Sequence, residues 1–180
     1  QFIQNLQQLG GNSMAPTMLF KAPWSTSLWL ITGLTCGLLI AIALIGLFTG
    51  PRNTWFWLPT MVGLPLVILV ATAFFCIRGY AIAGHTLTVQ RLGWESTVEL
   101  RNLISAEVVP TAMDESLRLF GNGGLFAFSG KFRNQALGKY TAYATNPRNS
   151  VVLKFPQKTV VLTPDDPKGF VEAVLATQSS

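Results

Sequence analysis

The sequence predicts an α+β membrane protein. A two-helix transmembrane hairpin comes first, followed by a small, bent antiparallel sheet or partly open barrel of about seven strands with a C-terminal helix. Three observations carry this. Two uncharged apolar runs, residues 28–48 and 55–77, lie in the first half of the 180 residues. From Tyr80 onward the hydrophobic period falls to two residues, the spacing of half-buried strands. Near the end, Thr163-Pro164-Asp165-Asp166 precedes Phe170, Val171, Val174 and Leu175, which share one helical stripe.

The runs come first in the chain's own order. A bilayer's hydrocarbon core is about 30 Å thick, so a helix needs roughly 20 apolar residues to cross it, and both runs are long enough. Thr49-Gly50-Pro51-Arg52-Asn53-Thr54 between them is rich in turn formers. A buried helix pair in a soluble protein is the competing reading, but a small domain cannot cover two such helices on all sides. A cleaved signal peptide is a poor rival, because the first run is too long and a second follows it at once. Aromatic residues fall where headgroups would lie: Trp24 and Trp29 at the entry, Phe48, Trp55, Phe56 and Trp57 at the bend, Phe74, Phe75 and Tyr80 at the exit. Ser25, Thr26 or Ser27 is available to cap the first helix.

Gly33, Gly37 and Ala41 recur every four residues and form a small-residue stripe that permits close helix packing. One reading pairs the stripe with another copy. The short bend favours the other, packing against the second run of the same hairpin. Pro65 should free the Met61 carbonyl and kink the second helix. With no charge in either run there is no ion relay, and transport is not expected.

Composition is 49% hydrophobic and 12% charged, with 13 basic and 8 acidic residues and a net charge of +5. Both cysteines, Cys36 and Cys76, lie in the runs, which argues against a disulfide-stapled secreted domain and against a zinc cluster. Gln1 to Ser13 reads as an added leader ahead of a natural start at Met14. The expected division is a tail at 1–26, the hairpin at 27–77 and a soluble domain at 78–180. Lys21 and Arg78 flank the hairpin and Arg52 alone sits in its bend, a basic bias that puts both termini and the soluble domain in the cytoplasm.

Strands are expected at 80–83 and 86–90 around the Gly84-His85 turn, then at 96–100, 104–109, 140–144, 151–155 and 159–162, with the apolar stretches 117–120 and 125–128 on either side of the Gly121 to Gly124 run. Thr163 is read as the N-cap of the closing helix, with Pro164 in its first turn and the two aspartates facing its positive end.

The stretch Arg118-Leu119-Phe120-Gly121-Asn122-Gly123-Gly124-Leu125-Phe126, then Gly130-Lys131-Phe132, Leu137-Gly138-Lys139-Tyr140 and Tyr143-Ala144-Thr145, resembles the bacterial PH-domain family of membrane-anchored proteins. Leu162-Thr163-Pro164-Asp165-Asp166-Pro167 with Phe170 is similar to that family's closing helix. The resemblance spans Tyr80 to about Leu175. It implies a PH-like fold of seven strands and a C-terminal helix set behind transmembrane helices; the two runs and their flanking charges make the expected location the inner (cytoplasmic) membrane, as a multi-pass protein. Phosphoinositide-binding PH domains cluster Lys and Arg around the first hairpin; here that turn is Ala83-Gly84-His85-Thr86, without a basic residue.

Chemistry-bearing motifs are scarce. His85 is the single histidine, and Gly121 to Gly124 lacks the Gly-Lys-Ser/Thr ending of a phosphate loop. No catalytic residue, metal or cofactor is expected. The informative feature is charge: from Ser116 to Thr163 there are seven basic residues and no acid. Basic side chains near an anionic leaflet contribute about 1 kcal/mol each. Arg118, Phe126, Phe128, Lys131, Phe132, Arg133 and Lys139 are therefore the candidate contact residues for a membrane or partner; the bland alternative is a solvated basic face over core phenylalanines. The expected partners are the bilayer and either a protein partner or further copies of the chain, giving a non-enzymatic membrane scaffold. Binding of anionic lipid headgroups by the basic stretch is the alternative. Nucleic acid is not expected, since no base-stacking module is recognisable.

Overall fold

The computed structural model describes residues 17–51 and 54–178, so the proposed leader at 1–13 and Arg52 of the bend lie outside the described residues. The expected tail is not all tail. Met18–Lys21 forms a strand, β1, before the first apolar helix α1, Thr26–Thr49. A π-turn at Pro59–Gly63 then runs into α2, Leu64–Ala73. The remaining strands are β2 Ile77–Ala83, β3 Thr86–Arg91, β4 Glu95–Glu99, β5 Ser105–Val108, β6 Leu117–Gly123, β7 Phe128–Asn134, β8 Gly138–Ala144, β9 Val151–Lys154 and β10 Thr159–Leu162, with α3 at Pro167–Ala176.

Ten strands among the described residues replace the expected seven, and they form two sheets. One runs β1-β2-β3-β4; the other runs β5-β9-β10-β8-β7-β6, antiparallel except where β10 lies parallel to β8. β1 pairs with β2, Lys21 opposite Gly79. The apolar helices are therefore an excursion inserted between two neighbouring strands. β1 was illegible because its four residues make no alternation and its partner lies more than fifty positions away.

Alternating residues of both sheets meet in one core. Leu87, Val89, Leu100, Val151, Leu153 and Leu162 are all completely buried, and α3 closes the layer with Phe170 and Val174. Truncating a buried phenylalanine such as Phe170 to Ala costs about 3–5 kcal/mol. Tyr80 belongs to this core, not to an aromatic belt: it is fully buried, edge-on to Phe170. Its hydroxyl donates to the Tyr143 carbonyl at 2.6 Å and accepts from the Thr163 amide at 3.2 Å.

Thr163 is also reassigned. Asp166 caps α3, accepting from the Gly169 amide at 3.1 Å, and Pro167 takes the first turn. Thr163 is buried instead, and its hydroxyl oxygen accepts from the Thr145 and Asn146 amides at 2.8 and 3.2 Å. An Asp-Pro pair three residues on is the better helix start, because proline's missing N–H is an orphan there anyway.

α1 begins where expected, with Ser25 accepting from the Leu28 amide at 3.1 Å. Its 24 residues rise about 36 Å at 1.5 Å each. It is long and apolar enough to span a membrane, and only 17% of its most apolar stretch is buried. The second run is shorter than expected. Its helix covers Pro59–Ala73, Phe74 and Phe75 turn, and Ile77 is a buried strand residue at 1% exposure. An apolar run does not reveal its solvent, and the last residues of this one are greasy because they enter the protein core. The helix is irregular where a kink was expected: the Leu64 amide donates to the Pro59 carbonyl, the i→i−5 bond of a π-turn, just before Pro65. The chain folds back so that the Trp57 indole N–H donates to the Gly46 carbonyl at 2.9 Å. A Cβ on Gly46 would overlap Met61, whereas Gly33 and Gly37 face open space and Ala41 is exposed. The stripe expected to hold the hairpin together does not; Ala43 and Gly46, the buried small residues of α1, lie on a different face.

Candidate functional site

The β6–β7 hairpin gathers most of the candidate contact residues. Gly121 stands opposite Gly130, and their backbones approach so closely that a Cβ on either would overlap the facing strand's carbonyl oxygen, Ser129 for the first and Phe120 for the second. Asn122 shapes the connection, its side-chain carbonyl accepting from the Leu125 amide at 3.1 Å and its amide donating to the Leu125 carbonyl. Residues 125–126, the start of the apolar stretch 125–128, are therefore the turn, and Phe126 takes a positive φ of 65°.

Alternation divides the candidates between two faces. On one, Phe132 is buried and stacks on Tyr140 at 5.9 Å beneath Ala112 and Met113. Burial pushes the Tyr140 hydroxyl above its usual pKa, and the hydroxyl donates to Ser116 Oγ at 2.7 Å. Arg118 lies across from Phe132 and, with Phe128, borders a cavity of about 300 Å³. Phe132 is thus wall rather than contact surface. On the other face Arg133 pairs with Lys139 across β7–β8, Lys131 lies two residues along, and all three are exposed. Phe120 opposite Lys131 and Leu117 opposite Arg133 complete this face.

β6 is an edge strand, which the sequence could not reveal because edge status depends on the order of strands far apart in the chain. Leu117 at 73% and Phe120 at 77% are the most exposed large apolar side chains of the two sheets, and Leu119 between them is exposed at 52%. The nearest sequence signal was Leu-Arg-Leu-Phe itself, an apolar run without the clean alternation of a half-buried strand.

Phe126 belongs to a separate place, the joint with α1. Its amide donates to Thr32 Oγ1 at 3.1 Å, and its ring meets Trp24 edge-on at 6.1 Å. Thr32 and Leu28 are the buried residues of the early turns of α1. A second joint lies at the end of α2, where the Trp94 indole N–H donates to the Phe74 carbonyl at 3.0 Å and its ring meets Phe75. Arg91, which sequence reasoning passed over, is only 7% exposed; it stacks on Trp94 at 4.0 Å and donates to Ser129 Oγ at 3.0 Å. Burial pulls its guanidinium below the usual arginine pKa.

Among the described residues no three His, Cys, Asp or Glu side chains gather. His85 sits in the β2–β3 turn, its backbone carbonyl accepting from the Leu100 amide at 2.8 Å. No curated protein matches the chain. A family model described as bacterial PH domain matches residues 78–178, the two sheets and α3 without β1 and the apolar helices. That match takes in more than half of the sequence, and the chain belongs to the bacterial PH domain family.

Proposed function

We propose that this chain is a membrane-anchored, non-catalytic interaction module, holding its PH domain against the cytoplasmic leaflet and offering the β6–β7 edge to a protein partner or to further copies. Its family is generally non-catalytic. Support for the anchor comes from α1, a 24-residue uncharged helix left largely uncovered. A core helix of a soluble protein would be mostly buried. Since β1 pairs with β2, the excursion leaves and returns on one side, and Lys21 and Arg78 at its two feet favour the cytoplasmic side.

The observation that carries the interaction reading is the exposed apolar edge of Leu117, Leu119 and Phe120, well away from the helices in sequence. Isolated surface leucines need no explanation, but three large side chains on one unpaired edge do. A photo-crosslinking residue at Phe120 in native membranes tests it, with exposed Thr97 on β4 as control. A protein adduct at 120 and none at 97 supports the module; absence of any adduct at 120 refutes it.

Lys131, Arg133 and Lys139 on one exposed face favour a second reading, contact with anionic headgroups. Phospholipid adducts alone at 120, lost in Lys131→Ala/Arg133→Ala, would support that reading instead.

A further inference from the structure

We infer that β6 takes its partner by strand addition, and that the partner is an extended protein segment alternating acidic and apolar residues. This rests on the interaction reading above and names its chemistry.

The four sheet edges differ. β4 carries Glu95 and Glu99, charges of the kind that blunt an edge. β1 and β5 are four residues each, and α3 packs beside β5. β6 runs seven residues without proline or acid, and six of the seven are exposed. Alternate residues of an edge strand direct N–H and C=O groups outward, where a peptide laid alongside pairs with them.

Charge chooses among occupants. Arg118 lies on the edge itself, Lys131 and Arg133 one strand inward and Lys139 on the next. No acid occurs between Ser116 and Thr163 to neutralise them. A second copy paired edge to edge would set these cations against their own images, and like charges across a ladder destabilise it. A bilayer's hydrocarbon would leave the outward backbone groups of β6 unpaired. An acidic strand meets both requirements. Its side chains would alternate between the Arg118-lined cavity of about 300 Å³ on one face and the Leu117–Phe120 surface on the other.

The test uses the full chain in nanodiscs of zwitterionic phosphatidylcholine. The probe is an eight-residue peptide alternating valine and glutamate, compared with a valine–lysine version and a valine–glutamate version N-methylated at alternate positions. Strand addition predicts that the acidic peptide binds and slows amide exchange across Leu117–Gly123. Binding should weaken at least tenfold for the lysine and N-methylated peptides, and at least tenfold in Arg118→Glu or in Leu117→Ser/Phe120→Ser. Unchanged exchange at Val151–Lys154 shows that the variants fold. No binding by the acidic peptide overturns the proposal, as does equal binding by the N-methylated one, or self-association abolished by Leu117→Ser/Phe120→Ser. Protein adducts at Phe120 alongside any of these results would leave the interaction module standing and remove strand addition alone.

Discussion

Replacing Gly130 by alanine should detach β6, and the structure indicates how strongly. Gly130 has φ +144°, and a Cβ there would overlap the carbonyl oxygen of Phe120 on the facing strand. The backbone strain of a side chain in so rarely populated a conformation is roughly 1–3 kcal/mol. Forcing an atom against a backbone group that cannot rotate away adds about 1–3 kcal/mol more, as other overpacked sites do. The expected cost is about 4 kcal/mol, concentrated in β6 and β7. Gly138 supplies the control: its φ is also positive, at +67°, yet a Cβ there meets nothing within 4 Å. Gly138→Ala should show the conformational cost alone, about 1–2 kcal/mol. The assay is native-state hydrogen exchange on the full chain in detergent micelles, comparing Phe128–Asn134 with Val151–Lys154. Gly130→Ala should speed exchange in the hairpin by at least thirtyfold beyond Gly138→Ala, about 2 kcal/mol at 1.4 kcal/mol per tenfold. If the two variants cost the same, the strands are not in close approach and the edge described above is misplaced.

Three further outcomes test other parts. Thr32→Val keeps the shape of α1 but leaves the Phe126 amide, 3.1 Å from Thr32 Oγ1, without its acceptor; the cost should be about 1–3 kcal/mol, read as faster exchange at Phe126. Asp166→Ala should lose about 1 kcal/mol in a urea titration as the α3 cap is removed, whereas Thr163→Val should lose more, because the Thr145 and Asn146 amides both donate to its hydroxyl oxygen. The reverse order would restore Thr163 as the cap. Burial pushes the Tyr80 hydroxyl up to about 12 from an ordinary 10. A folded-state pKa raised this way gives stability that is whole below pH 10 and is lost as pH climbs to 12, about 3 kcal/mol in all. The titration in detergent at stepped pH should show that loss, and Tyr80→Phe, itself destabilised by its missing hydrogen bonds, should show a smaller one, left by Tyr140.

How much of this was legible in the sequence follows from what each signal depends on. Local signals carried over. Ser25 caps α1 because a small polar residue before an uncharged run is a helix start in almost any surroundings, and β3 and β4 follow their alternation. Signals that depend on distant partners did not. Ile77 was read as the end of the lipid-facing run and Tyr80 as part of the aromatic belt at its exit, yet they are buried by β3 and α3, since apolarity alone does not distinguish a bilayer from a core. Thr163 offered a good cap motif and went instead to the strand ends it bridges. Of the candidate contacts, Lys131, Arg133 and Lys139 share an exposed face, whereas Phe132 is wall and Phe126 is joint. The apolar part of the edge, Leu117 to Phe120, depended on strand order.

Insertion of the apolar helices between β1 and β2 has a mechanical consequence for the proposed membrane reading. A PH domain hung on a flexible linker would present its surfaces at any height and tilt. Here the chain is fastened on both sides of the excursion. Before α1, the Asp165 amide donates to the Lys21 carbonyl at 2.9 Å and Thr145 Oγ1 donates to the Pro23 carbonyl at 2.8 Å. After α2, the Leu92 amide donates to the Cys76 carbonyl at 3.2 Å, and Arg91 stacks on the Trp94 that bonds Phe74. Thr32 ties the β6–β7 turn to the helix itself. Orientation is thereby fixed by several bonds rather than one, so the edge strand holds a set attitude to the helices. From Gly124, whose carbonyl accepts from Thr32 Oγ1 of α1 at 3.5 Å, back to Leu117 is seven residues, about 23 Å of strand. A partner pairing along that length would meet the same geometry on every copy, and it would not bear the entropy of first orienting the domain.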